Sequence, residues 1–292
     1  MGFGAGLRIG ELEIAFRVVQ REEAFCLQLG DKDGLQASYG NQAMILQDWG
    51  RWEEAMALYK KQEVLCLELG NELGLQRSYC NQAGILQDWG RPEEAMALHK
   101  KEEALCLELG NKHGLQASYG NQAIILQVLG RREEAFKLFK KQETLCMELG
   151  DKDGLQRSYG NQAMILHAWG GPEEPMELLK KQEALCLELG NKDSLQRSYG
   201  NQAGILQDCD RLEEALTLRK KQEAFCLQLG KRSDLAYCYW NWGRLARKQR
   251  DRNAEREKLS AALDIFTELN MPWERDTVRA ELEKTTAADR AT

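Results

Sequence analysis

Residues 195–229, LQRSYGNQAGILQDCDRLEEALTLRKKQEAFCLQL, recur with light edits at 35–69, 75–109, 115–149 and 155–189. Tyr39, Tyr79, Tyr119, Tyr159 and Tyr199 keep a strict 40-residue step, and Cys26, Cys66, Cys106, Cys146, Cys186 and Cys226 keep it too. A period of roughly 20–50 residues marks a stacked array: one small unit cannot bury its apolar face alone, so its neighbours must cover it. A single central core is therefore excluded, and the chain gains length by stacking.

Each 40-residue unit carries two helical patterns. In 31–70 the first, helix A, is expected from about Leu35 to Asp48, with Leu35, Tyr39, Ala43 and Leu46 at helical spacing, Asp33 as N-cap and Gly50 closing it. Helix B is expected from about Trp52 to Leu69, with Ala55, Leu58, Tyr59, Leu65, Cys66 and Leu69 on one face. Glu53 and Glu54 stand early and Lys60 and Lys61 late, as the helix dipole favours, and Pro92 and Pro172 open two of the equivalents. The edits are scattered: Cys80 replaces the glycine of Gly40, Gly120, Gly160 and Gly200, and Pro175 replaces an alanine, where a local distortion is expected. The fold class is all-α, an α-solenoid of stacked antiparallel helix hairpins. Residues 1–30 read as a partial repeat, mostly helix B, so the text starts mid-unit, as an improvised cap or as a piece of a longer array. Five repeats fill 31–230. A divergent sixth, 231–270, retains Leu235, Tyr239, Asn241 and an apolar Phe266, and 271–292 reads as a capping helix and tail.

A net charge of -6 and a pI near 5.4 oppose nucleic-acid binding and a polybasic membrane anchor. No apolar run approaches the roughly 20 residues that cross a bilayer, and the first residues lack a signal-peptide pattern, so a cytoplasmic protein is expected. The repeated cysteines lie one repeat apart, roughly 10 Å by helix-packing distances. That exceeds the Cα separation of about 7 Å at which disulfides close. With no C-x-x-C text, they are expected to pack as small hydrophobes. No phosphate loop, H-E-x-x-H or G-x-S-x-G occurs, and His99, His113 and His167 occupy unrelated repeat positions. Paired carboxylates such as Glu53-Glu54 fit a solvated face at a helix start. No catalytic residue, metal or cofactor is expected, and the chain does not read as an enzyme.

The text Tyr-Gly-Asn-Gln-Ala-x-Ile-Leu-Gln-x-x-Gly-Arg-x-Glu-Glu-Ala resembles a tetratricopeptide repeat (TPR), whose small and glycine positions match Ala43, Gly50 and Ala55. The 40-residue length and the Leu-Gly-Asp/Asn-Lys linker are similar to the long-form repeats of the Pins/LGN scaffold family and, more distantly, of kinesin light chain. Related arrays also serve as sensor regions of bacterial signalling ATPases. The resemblance covers nearly all of 11–270 and implies a right-handed TPR superhelix whose helices A line a peptide-binding groove. One departure stands out: Gln42, Gln82, Gln122, Gln162 and Gln202 occupy a position where leucine is usual. Such a polar ladder at a packing seam needs internal hydrogen bonds.

On that resemblance the groove presents Arg77, Arg157 and Arg197, with Ala37 and Ala117 in other units, and then the glycine beside each tyrosine. Beyond these runs a ladder of Asn41, Asn81, Asn121, Asn161, Asn201 and Asn241. Asparagine offers a donor and an acceptor to a peptide main chain, glycine clears room for close approach, and arginine grips an acidic group. The competing roles are an asparagine bonded to the neighbouring helix and an arginine paired with an acid of the adjacent repeat. The groove edge carries Met44, Gly84, Ile124, Met164 and Gly204, then Asp48, Asp88 and Asp208. Trp49, Trp89 and Trp169 end helix A, where they either pack or form an interface patch. Three functions fit: a scaffold holding a partner's peptide segment, a module that stacks end to end with its own kind, and the sensor region of a longer signalling ATPase.

Overall fold

The structure, a computed structural model, describes the backbone of residues 3–290 and the side chains of 10–285. Among the described residues there are fourteen helices and no strand: α1 (Phe3–Leu29), α2 (Lys32–Asp48), α3 (Trp52–Leu69), α4 (Glu72–Asp88), α5 (Pro92–Glu108), α6 (Lys112–Val128), α7 (Arg132–Leu149), α8 (Lys152–Trp169), α9 (Glu173–Leu189), α10 (Lys192–Asp208), α11 (Leu212–Leu229), α12 (Arg232–Gln249), α13 (Arg252–Glu268) and α14 (Pro272–Arg290). They form two compact units, Met1–Leu145 and Cys146–Thr292, divided within α7. In the first, each helix from α1 to α5 packs on the next, and α2 also touches α4. In the second, each helix from α8 to α13 packs on the next, and α10 touches both α8 and α12. Each unit is a stack of helix hairpins, the all-α solenoid that the repeat implies.

Helix A begins earlier than the apolar spacing suggests. The N-cap of α2 is Asp31, not Asp33; its carboxylate accepts the Gly34 N–H at 2.9 Å, and the helix starts at Lys32. Asn71, Asn111, Asp151 and Asn191 cap α4, α6, α8 and α10 in the same way. An Asp or Asn three residues before a free N–H satisfies one of the donors orphaned at a helix start, and this cap sets the boundary. Helix B keeps its expected bounds, Trp52–Leu69, and Gly70 closes it in the left-handed conformation (φ 65°). Pro175 breaks nothing: it lies in the first turn of α9, where a missing N–H is no loss, and the helix runs on to Leu189.

Between the helices lies a buried polar seam that repeats with the sequence. Ser38, Ser78, Ser118 and Ser198 donate to the carbonyls of Val19, Tyr59, His99 and Leu179, at 2.9–3.2 Å. The glutamine four residues on donates to that serine and to a glutamate of the preceding helix B: Gln82 to Glu63 (2.8 Å), Gln122 to Glu103 (3.0 Å), Gln202 to Glu183 (2.8 Å). Gln42 bonds Glu23 and Ser38 likewise. The polar ladder at the leucine position thus holds its own hydrogen bonds. Burial raises the Glu103 carboxyl, but hydrogen bonds from Lys100 and Gln122 outweigh it and hold the group below its usual range.

The glycine that follows the tyrosine makes room for a glutamine of helix B. A Cβ on Gly40, Gly160 or Gly200 would stand 2.5–2.6 Å from Nε2 of Gln62, Gln182 or Gln222, which reaches under it from helix B. None of the repeated cysteines forms a disulfide, and Cys66, Cys106, Cys146, Cys186 and Cys226 are buried, as small apolar side chains should be. α14 packs on α13, its Val278 joining Leu259 and Phe266 in one core cluster. On α1, by contrast, no described side chain is fully buried, and Ile14, Val18 and Phe25 are exposed.

Candidate functional site

Alternate helices of each unit present one face to solvent, and the asparagine ladder lies on it. In the first unit α2 and α4 enclose a cavity of about 220 Å³ lined by Asn41, Met44, Arg77, Asn81, Gly40 and Gln62, among others. In the second unit a larger cavity, about 480 Å³, is lined by Arg197, Asn201 and Asn241 together with Met164, Gly204 and Arg219. Four of the six ladder asparagines and two of the three arginines therefore lie in cavities. Asn121, Asn161 and Arg157 line neither.

The side chains of Asn41, Asn81, Asn161 and Asn201 form no hydrogen bond among the described residues, although all but Asn41 are half-buried. Two asparagines do bond protein: Asn241 donates to the Tyr237 carbonyl of its own helix at 2.9 Å, and Asn121 reaches the Cys80 sulfur at 4.0 Å. The arginines divide. Arg157 pairs with Asp153 (3.2 Å) and Arg197 with Asp193 (3.0 Å), four residues back on their own helices and not across repeats. At the equivalent place before Arg77 stands Leu73, and Arg77 is exposed and unpaired. Met44, Ile124 and Met164 are exposed. Trp49 and Trp89 pack into the first core with Arg51 and Arg91 over their rings, while Trp169 is largely exposed.

Two clusters escaped the repeat pattern. At the position of Tyr59 and Phe139 stand His99 and Arg219, both buried. His99 Nδ1 meets Glu102 Oε2 at 2.7 Å, both residues being 1 % exposed. Glu102 stands where Gln62, Gln142, Gln182 and Gln222 stand elsewhere. Cys80, opposite it, carries a side chain where Gly40, Gly120, Gly160 and Gly200 have none. Burial and the neighbouring Glu102 push the Cys80 thiol up to about 12, which disfavours its thiolate. His167 Nε2 lies 3.1 Å from Asp208 Oδ2 of the next repeat. Among the described residues no group of His, Cys, Asp and Glu is arranged to hold a metal ion, and no helix is long and apolar enough to cross a membrane. The signal for both clusters was in the text: a titratable residue at a position that is otherwise aromatic or aliphatic.

No family model matches the sequence, and no curated protein matches it. Solved structures do. BtubC (BKLC) of P. vanneervenii is 17 % identical over 75 % of this chain and 92 % of its own, with a TM-score of 0.66. A kinesin-light-chain-type protein of Podosopora anserina, with nearly identical TPR-like repeats, is 21 % identical over 66 % of this chain and 95 % of its own, TM-score 0.54. A signal-transduction ATPase with a tetratricopeptide-repeat sensor from Pyrococcus horikoshii is 17 % identical over 95 % of this chain and 44 % of its own, TM-score 0.71. The fold is that of the tetratricopeptide-repeat solenoids. Within this stack of hairpins the helix-A glutamine bonds serine and glutamate at the seam, and the asparagine one residue before it lies on the open face.

Proposed function

We propose that this TPR chain is a non-enzymatic scaffold that holds a peptide segment of a partner protein against the helix-A faces. The observation that carries this reading is the set of unbonded asparagines: Asn41, Asn81 and Asn201 keep both donor and acceptor free in open cavities, and Asn161 keeps them free outside these cavities. Asn121, Asn241 and the arginines Arg77, Arg157 and Arg197 complete the proposed contact surface. We assign residues 1–30 to a partial repeat, 31–230 to five repeats, 231–270 to a divergent sixth and 271–292 to a capping helix and tail, and place the chain in the cytoplasm, where nine cysteines outside any disulfide are at home.

The test is a pull-down with wild type beside Asn41→Ala/Asn81→Ala, both checked for helicity. The captured protein is then reduced to its shortest binding peptide and titrated. Selective loss of that peptide by the folded variant supports the reading; equal binding, or loss of fold, defeats it. A second reading, end-to-end self-association, is favoured by the exposed Ile14, Val18 and Phe25 of α1. Sedimentation over a concentration series would show it. The likeness to the sensor-bearing ATPase supports a third, the sensor region of a longer signalling ATPase.

A further inference from the structure

Arg219, in α11, breaks the repeat. Its equivalents Tyr59, Phe139 and Leu179 are core side chains with 0 % exposure; Arg219 is equally enclosed at 4 %. A guanidinium keeps its charge even when burial works against it, so this charge sits in the protein interior. Nothing in the described structure neutralises it. Its single hydrogen bond runs from Nη1 to the neutral Gln222 Oε1 at 2.8 Å, and its Nε–H is buried without an acceptor. Arg219 also lines the 480 Å³ cavity on the helix-A face, beside Asn201 and Asn241. The cavity's own carboxylate, Asp234, accepts from Gln196 at 3.2 Å and makes no ion pair with Arg219. The neighbouring Arg197 already has a counter-ion in Asp193. An enclosed cation with unused donors at the floor of an open cavity is incomplete without an anion.

We infer that Arg219 forms a single carboxylate-recognition subsite, which takes an acidic side chain of the bound peptide and fixes the register in which that peptide lies. This inference rests on the peptide-scaffold reading and deepens it. Near-identical repeats create a problem that such a subsite solves. Asn161 and Asn201 offer the same contacts one repeat apart, so a main chain held by asparagines alone fits equally well after a one-repeat slip. A charge that occurs at one repeat removes this degeneracy. The occupant is an Asp or Glu of a peptide, because the same cavity presents the unbonded Asn201, which the scaffold reading assigns to a peptide main chain, beside the guanidinium and apolar Met164 at its edge.

The test compares wild type with Arg219→Leu, whose new side chain is the one the preceding repeat carries at Leu179. Each protein is used to select from a phage-displayed library of random dodecapeptides, and each is melted in sodium succinate against sodium chloride of equal ionic strength. The expected result has four parts. Arg219→Leu melts higher than wild type in chloride, since an uncompensated buried charge is gone. Wild type enriches peptides with an acidic residue at one fixed position. A synthesised representative binds the variant at least about tenfold more weakly. Changing its acid to the amide costs wild type the same factor and the variant nothing. Acid enrichment that persists in Arg219→Leu, or no enrichment of acids by wild type, overturns the inference while leaving the scaffold reading standing. If neither protein enriches any peptide, the scaffold reading fails and the peptide subsite with it. Stabilisation of wild type alone by succinate would then show that a free small acid is the occupant instead. A variant that melts well below wild type would show that Arg219 is a structural residue and overturn the subsite.

Discussion

The buried His99–Glu102 pair can be taken apart by substitutions that the protein's own repeats supply. Both residues are 1 % exposed and their side chains meet at 2.7 Å, and Cys80 stands against them where four other repeats have glycine. His99→Phe places at this site the side chain that Phe139 carries with 0 % exposure, so shape is not at issue. What is lost is the partner of an enclosed carboxyl group. Removing one member of a buried pair costs about 3–5 kcal/mol, whereas replacing both with well-packed neutral groups is neutral or stabilising by about 1–4 kcal/mol. Against a typical total of about 5–15 kcal/mol the single change is severe. Glutamine at 102 needs more than the loss of His99. Beside Gly120, a Cβ would stand 2.6 Å from Gln142 Nε2, so the glutamine arrangement requires glycine opposite it. The expected order of stability therefore places Cys80→Gly/His99→Phe/Glu102→Gln at or above wild type. His99→Phe/Glu102→Gln falls between, and His99→Phe alone is lowest. Urea denaturation followed by circular dichroism at 222 nm measures the series. A His99→Phe variant within about 1 kcal/mol of wild type, or a triple variant no better than that single one, would refute the reasoning.

Three further outcomes are expected. Gly160→Ala should lower stability by about 1 kcal/mol despite alanine's better helix propensity. Its Cβ displaces Gln182, which then loses its bond to Gln156, and Gln182→Ala should recover most of the loss in a thermal melt. Cys106→Ser should cost about 1–3 kcal/mol by burying a hydroxyl and should leave peptide binding unchanged when assayed by titration. Burial pushes the thiols of Cys106, Cys146, Cys186 and Cys226 up to about 11, which favours the neutral form in the folded state. The stability they contribute is complete below the ordinary thiol value of about 8.5 and is lost as pH rises toward about 11. A melting temperature that stays flat across that window would contradict it.

The period of 40 residues, the two helical stripes within it and the glycines that close them determined the hairpin stack, because a repeated unit has one low-energy way to cover its apolar face. The same periodicity determined which residues share a face, and so brought Asn41 with Asn81, and Asn201 with Asn241, into common cavities. Spacing could not tell what each side chain bonds. That Gln82 reaches Glu63, that Gly40 makes room for Gln62, and that Arg157 and Arg197 pair within their own helices depend on which atoms come within about 3 Å. The cap at Asp31 was missed for a related reason: apolar spacing reports the buried face, while a helix boundary is decided by which side chain can accept the first free N–H groups. Only the tertiary structure decided which departures from the repeat matter. Leu73 leaves Arg77 unpaired on the surface, whereas Arg219 and His99 lie enclosed, where a charge or proton must find a partner because water cannot supply one.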